Sequence, residues 1–171
     1  MAIKISDIPP EGLIEEIDLK LDLFDDLTES TAVTALLNIK TSRGGLIKIT
    51  GRAKATPLLQ CSRCLKSFSF PVDAELNLDL APLMSLGTSS EHELVKGELD
   101  IEFYEGDEIE PAELVREQLL IALPMVTLHH PDCKGLCSLC GTDLNETECS
   151  CKKKLPESSG AFSVLKDLLK K

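Results

Sequence analysis

The sequence predicts an α+β chain: a β-rich antiparallel sheet or partial barrel with a C-terminal helix, a small zinc-knuckle segment and a terminal helix. Several stretches between Leu13 and Leu80 alternate apolar and polar side chains at the period of half-buried strands, with Gly and Pro between them. Helical spacing opens at Pro111 and again near Phe162. Five of the seven cysteines, Cys133, Cys137, Cys140, Cys149 and Cys151, fall within nineteen residues, a density that points to metal. The chain then divides into a β-rich body with one helix (1–128), a cysteine-rich zinc-binding segment (129–152), and a linker with a terminal helix (153–171).

Leu13 to Leu23 places Ile17, Leu19, Leu21 and Leu23 on one face of a strand that Asp25 and Asp26 end. Ala32 to Lys40 and Leu46 to Thr56 read as a hairpin, since Gly44 and Gly45 can take the positive φ of a tight turn. The second strand puts Ile47, Ile49, Gly51, Ala53 and Ala55 on one face and Lys48, Thr50, Arg52 and Lys54 on the other. Cys61 and Cys64 form a turn before a further strand, Ser67 to Leu80, and Ala81 to Gly97 reads as a loop. Leu99 to Tyr104 reads as a short strand candidate. Pro111 suits the first helical position, with Glu110 and Glu113 near the positive end of the dipole, and Pro124 stops the helix. At the C-terminus Phe162, Leu165, Leu168 and Leu169 share a helical face.

The formal charge of −11 argues by itself against a nucleic-acid partner, yet the charges are segregated. No Asp or Glu occurs between Ser30 and Val72, a stretch holding Lys40, Arg43, Lys48, Arg52, Lys54, Arg63 and Lys66. Lys48, Arg52, Lys54, Arg63 and Lys66 are therefore the candidate RNA-binding cations. The competing expectation is that these cations pair within the monomer with the acidic run from Glu91 to Glu113. The first twelve residues lack a secretory apolar core, and no stretch approaches the ~20 apolar residues of a membrane span, so a cytoplasmic protein with reduced thiols and no membrane partner is expected.

Cys137 and Cys140 followed by Gly141 make the strongest local metal signal, and Cys133 lies within reach of the same ion. A closed tetrahedral site needs a fourth ligand. Cys149 is the leading candidate, with Cys151 and His129 as alternatives, and the cofactor expected is one structural Zn2+. Cys61 and Cys64 form a separate C-x2-C turn whose position between strands is unlike the βαβ setting of thioredoxin-type motifs.

The order of these blocks, CSRC, an acidic stretch, PAELVREQLLIALPM, HHPDCKGLCSLCGTDLN and GAFSVLKDLLKK, resembles the YceD family, the large ribosomal RNA subunit accumulation proteins. The resemblance covers roughly residues 40–171. It implies a role in large-subunit ribosomal RNA accumulation and subunit assembly, without catalysis. Its full cysteine pattern, C-x3-C-x3-C-x2-C-G, falls on His129, Cys133, Cys137, Cys140 and Gly141, with histidine at the first position. It also implies that the metal is a local staple and that the Cys61–Cys64 turn is independent of it.

The function expected is thus a non-enzymatic factor that meets ribosomal RNA or a large-subunit precursor particle, with a basic ribosomal protein as a further partner. One rival is a zinc-stapled module gripping a basic protein through acidic residues. The other is a thiol oxidoreductase using Cys61 and Cys64. With no Trp and one Tyr, base stacking has little to use beyond Phe68 and Phe70.

Overall fold

A computed structural model describes residues 2–24, 30–83 and 101–151. They fall into two compact units, Met1–Leu59 with Phe68–Thr127, and Gln60–Ser67 with Leu128–Lys171. The strands in chain order are β1 (Ile3–Lys4), β2 (Leu13–Leu21), β3 (Thr31–Thr41), β4 (Ile47–Ala55), β5 (Leu58–Gln60), β6 (Ser67–Ser69), β7 (Val72–Pro82), β8 (Ile101–Tyr104) and β9 (Glu108–Ile109). A helix, α1 (Pro111–Ala122), follows.

Alternating side chains drive the main sheet, whose order is β2-β3-β4-β7-β8. The first four strands pair antiparallel, and β8 joins parallel to β7. Among the described residues the sheet is open, with β2 and β8 at its two edges, so the α+β, β-rich fold holds there without a closed barrel. Its inner face carries Ile17, Val33, Leu37, Ile39, Ile47, Ile49, Leu76 and Leu80, all buried. Helix α1 packs chiefly on β7 through Val115 and Leu119, both fully buried. Pro111 stands at N1, where its missing N–H leaves no broken bond, and Glu113 lies in the first turn. Leu123, preceding Pro124, turns extended (φ −71°, ψ 138°), as the proline ring requires of its neighbour. No helix among the described residues is long and apolar enough to cross a membrane.

The hairpin joining β3 to β4 turns as expected, with Gly44 and Gly45 at φ 86° and 80° and Ser42 N–H bonded to Leu46 O at 2.7 Å. Tyr104 donates its hydroxyl to Gly45 O at 2.7 Å, tying β8 to that turn. Other expectations change. The strand expected over Ser67 to Leu80 is two strands, because Pro71 follows a residue whose N–H bonds Pro57 O (Phe70, 3.0 Å). β6 pairs with β5, and β7 alone enters the main sheet. Ala81 and Pro82, expected in a loop, extend β7, and Leu83 follows it. The rest of that run, the first two residues of the Leu99–Tyr104 strand, the Asp25–Asp26 break and the terminal helix lie outside the described residues. The short β1–β9 pairing was not expected at all.

Candidate metal centres and the charged sheet face

Each C-x2-C segment folds into the same turn. Cys61 N–H bonds Lys66 O (2.9 Å) and Leu65 N–H bonds Cys61 O (2.9 Å). At the corresponding places Cys137 N–H bonds Thr142 O (2.8 Å) and Gly141 N–H bonds Cys137 O (2.8 Å). The residue after the second cysteine must be left-handed for this turn to close: Gly141 has φ 71°, and Leu65, at φ 62°, adopts the same conformation without glycine's freedom. Two sulfurs and several amides thereby converge on one side of each turn.

The thiols gather in two groups, each capable of holding a metal ion: Cys61, Cys64, His129 and Cys133, and Cys137, Cys140, Cys149 and Cys151. Within each group the donor atoms lie within 4.8 Å of one another. The expected quartet of Cys133, Cys137, Cys140 and Cys149 is therefore not the arrangement found. Cys133 sits with the upstream turn, its Sγ 3.8 Å from that of Cys61, and its former place is taken by Cys151. His129 belongs to the first group, with Nδ1 3.4 Å from Cys64 Sγ. The Cys61–Cys64 turn, expected to stand apart from the C-terminal cysteines, is joined to them.

Backbone contacts hold this arrangement. Leu136 N–H bonds Arg63 O (3.1 Å), and the Arg63 guanidinium donates to Cys133 O (2.8 Å). Gly135, at φ 73°, passes so close that an added Cβ would lie 3.0 Å from Arg63 O. Asn145 donates its side-chain N–H to Cys133 Sγ (3.5 Å) and accepts from Lys134 N–H (2.8 Å). Asp143 in turn accepts from the Asn145 backbone N–H (2.8 Å), which holds its carboxyl below the usual range. Asn145 was not foreseen, because a residue that orients a ligand carries no spacing signature of its own.

Crowded thiols do not ionise together. Burial works against charge on Cys61, but hydrogen bonds from His129 and from backbone amides outweigh it and bring the thiol down to about 5. On Cys64 the Lys66 N–H favours the thiolate, yet burial and the neighbouring Cys61 and Cys133 push it up to about 11. In the other group the Thr142 hydroxyl and N–H bring Cys140 down to about 6, while Cys140 itself pushes Cys151 up to about 12. Each group thus sets lowered thiols beside raised ones, Cys61 beside Cys64 and Cys137 and Cys140 beside Cys149 and Cys151, an arrangement a dication would relieve by stabilising the thiolates together.

The candidate RNA-binding cations divide between the two units. Lys48, Arg52 and Lys54 line the exposed face of β4 as expected, while Arg63 and Lys66 lie, also exposed, on the upstream cysteine turn. The β4 row is not free of acid. Register sets Lys48 opposite Asp79, Arg52 opposite Glu75 and Lys54 opposite Asp73. Lys48 reaches Asp79 at 3.2 Å, and Arg52 bonds Asp73 diagonally. These pairs come from β7 rather than from the Glu91–Glu113 run, much of which lies outside the described residues.

A family model described as "Large ribosomal RNA subunit accumulation protein YceD" matches residues 49–169. A curated relative from Zea mays, "Large ribosomal RNA subunit accumulation protein YCED homolog 1, chloroplastic", is 26% identical over 153 residues, covering 76% of this chain and 51% of the relative. The chain thus spans about half the length of that relative. No solved structure matches.

Proposed function

Because this chain belongs to the YceD family, we propose that it is a non-enzymatic factor supporting accumulation of large-subunit ribosomal RNA and assembly of that subunit. The match across residues 49–169 carries the reading, since it takes in Arg52 and Lys54 of β4 and the whole cysteine-rich segment, with Lys48 one residue before it. Its partner is ribosomal RNA or a large-subunit precursor particle, met through Lys48, Arg52 and Lys54, with Arg63 and Lys66 as further phosphate contacts. The acids on β7 do not forbid this. Lys48 and Arg52 side chains are 51% and 67% exposed, and exposed ion pairs contribute only about 0–1 kcal/mol, so phosphates can exchange for Asp73 and Asp79. Seven unpaired cysteines suit a reducing compartment, and we place the protein in the cytoplasm.

Structural Zn2+ on Cys137, Cys140, Cys149 and Cys151 is part of the reading. All four donors are sulfur and within 4.8 Å of one another, and no ligand position is left for a reacting water. The β7 row of Asp73, Glu75 and Asp79 supports a second reading, in which the sheet face grips a basic ribosomal protein. A Lys48→Glu/Arg52→Glu/Lys54→Glu protein separates the two. The RNA reading expects its co-sedimentation with large-subunit particles to fall at least about tenfold at moderate salt and the salt slope to flatten by up to about three. Unchanged co-sedimentation would sink the RNA face and leave the protein-binding one.

A further inference from the structure

The geometry points to a second, separate zinc site on Cys61, Cys64, His129 and Cys133, so that the chain carries two structural ions rather than one. It shares the choice of metal with the four-sulfur site above and is independent of the ribosomal reading.

Two donor pairs stand at the spacing of a tetrahedron around zinc, and all four donors lie within 4.8 Å of one another. With Zn–S of about 2.3 Å and Zn–N of about 2.0–2.1 Å, tetrahedral angles set sulfurs about 3.8 Å apart and a sulfur about 3.6 Å from a nitrogen. Cys61 and Cys133 Sγ are 3.8 Å apart, and Cys64 Sγ is 3.4 Å from His129 Nδ1. A disulfide would need a sulfur pair at about 2.05 Å. The upstream turn also repeats, bond for bond, the backbone pattern of the Cys137–Cys140 turn. Leu65 holds the left-handed conformation that the second turn gives to glycine, a cost that presentation of two thiolates to an ion would offset.

Burial argues the same way. Among the described residues of this unit, those that are buried are Cys61, Cys64, Cys133, Gly135 and Cys137. Apolar packing of that extent cannot order a loop-rich segment, and the metal-free alternative leaves thiols as its core. The ligand sets fit their surroundings too. Three thiolates and a neutral imidazole leave the zinc complex one negative charge, against two for four thiolates. The less charged set is the more buried: Cys61, Cys64 and Cys133 are buried, whereas Cys140 is exposed and Cys149 and Cys151 are half-buried. Asn145 donates to Cys133 Sγ, and backbone amides of the turn hydrogen-bond the Cys61 and Cys64 sulfurs, as outer contacts do around thiolate metal sites.

Metal analysis of the full chain, purified under reducing conditions, tests this. Wild type is expected to hold about two equivalents of zinc, and Cys64→Ser and Cys140→Ser about one each. Cobalt substitution should then give a three-sulfur, one-nitrogen spectrum in Cys140→Ser and a four-sulfur spectrum in Cys64→Ser. One equivalent in wild type, kept in Cys64→Ser and lost in Cys140→Ser, overturns the second site and leaves the first. Absence of zinc from wild type overturns both metal assignments and leaves the co-sedimentation experiment to judge the ribosomal reading. Should a serine variant fail to fold, zinc X-ray absorption on wild type decides: an average shell of about 3.5 sulfurs and 0.5 nitrogen per ion supports the assignment, and a purely sulfur shell overturns it.

Discussion

Leu65 and Gly141 occupy equivalent places in the two cysteine turns, at φ 62° and 71°. An L side chain in this region costs roughly 1–2 kcal/mol, and glycine pays instead about 0.5–1 kcal/mol in unfolded-chain entropy. Nothing lies within 4 Å of a Cβ added to Gly141, so the backbone alone sets the effect there. Gly141→Ala is therefore expected to destabilise the zinc-loaded chain by about 1 kcal/mol, and Leu65→Gly to leave it equal or slightly more stable, since Leu65 is 54% exposed and gives up little packing. Denaturant midpoints of the two variants check this; a loss of more than about 1 kcal/mol in Leu65→Gly would mean that the side chain is held for another purpose. The turn at Gly141 was legible in the sequence because glycine announces it. The one at Leu65 was not, because leucine signals no left-handed backbone.

At the level of elements, alternation and punctuation located β2, β3, β4 and much of β7, since one face of the sheet is buried and a strand's period of two is then visible. The prolines at 111 and 124 bracketed α1 for steric reasons that need no tertiary context. Where pairing depends on distant partners the signal fades: β1 and β9 have two residues each, too few for any period, and the departure of β6 to join β5 is a choice between sheets. Gly51 shows the same limit. Its neighbours alternate as a strand should, yet an added Cβ would overlap the Leu36 carbonyl and come within 3.0 Å of Leu37 Cα. Gly51→Ala is expected to cost about 1–3 kcal/mol, read as a lower denaturant midpoint with unchanged slope. A neutral substitution would show that β3 and β4 can separate there without loss.

Across the whole chain, charge is the property that linear order misrepresents most. A stretch free of Asp and Glu looks like a cationic patch, but antiparallel pairing lays β7 beside β4 and alternates positive and negative rows across one sheet face. The cysteines mislead in the opposite direction. Two C-x2-C turns more than seventy residues apart read as unrelated features, and only chain reversal brings Cys61 and Cys64 to His129 and Cys133. Since the buried residues described in the second unit are cysteines and one glycine, and the first unit has an apolar core of its own, metal removal should act on one and spare the other. On stripping zinc with a strong chelator under reducing conditions, the amides of Cys61, Leu65, Cys137 and Gly141 are expected to lose hydrogen-exchange protection, while those of Leu37, Ile49 and Leu76 keep theirs. Loss of protection throughout the sheet would show that the two units fold as one.

The interval between Cys64 and His129 also has a meaning in time. Ribosomes extend a chain by about 5–20 residues per second, so the sixty-five residues separating these two ligands take roughly 3–13 s to make. During that interval the first turn offers two thiols and no means of closing a four-ligand cage. The four-sulfur site, by contrast, is complete within fifteen residues of its first ligand. On the two-ion assignment, the nascent chain holds a half-built cage from Cys64 until Cys133 emerges, and the four-sulfur cage is complete only when Cys151 follows eighteen residues later.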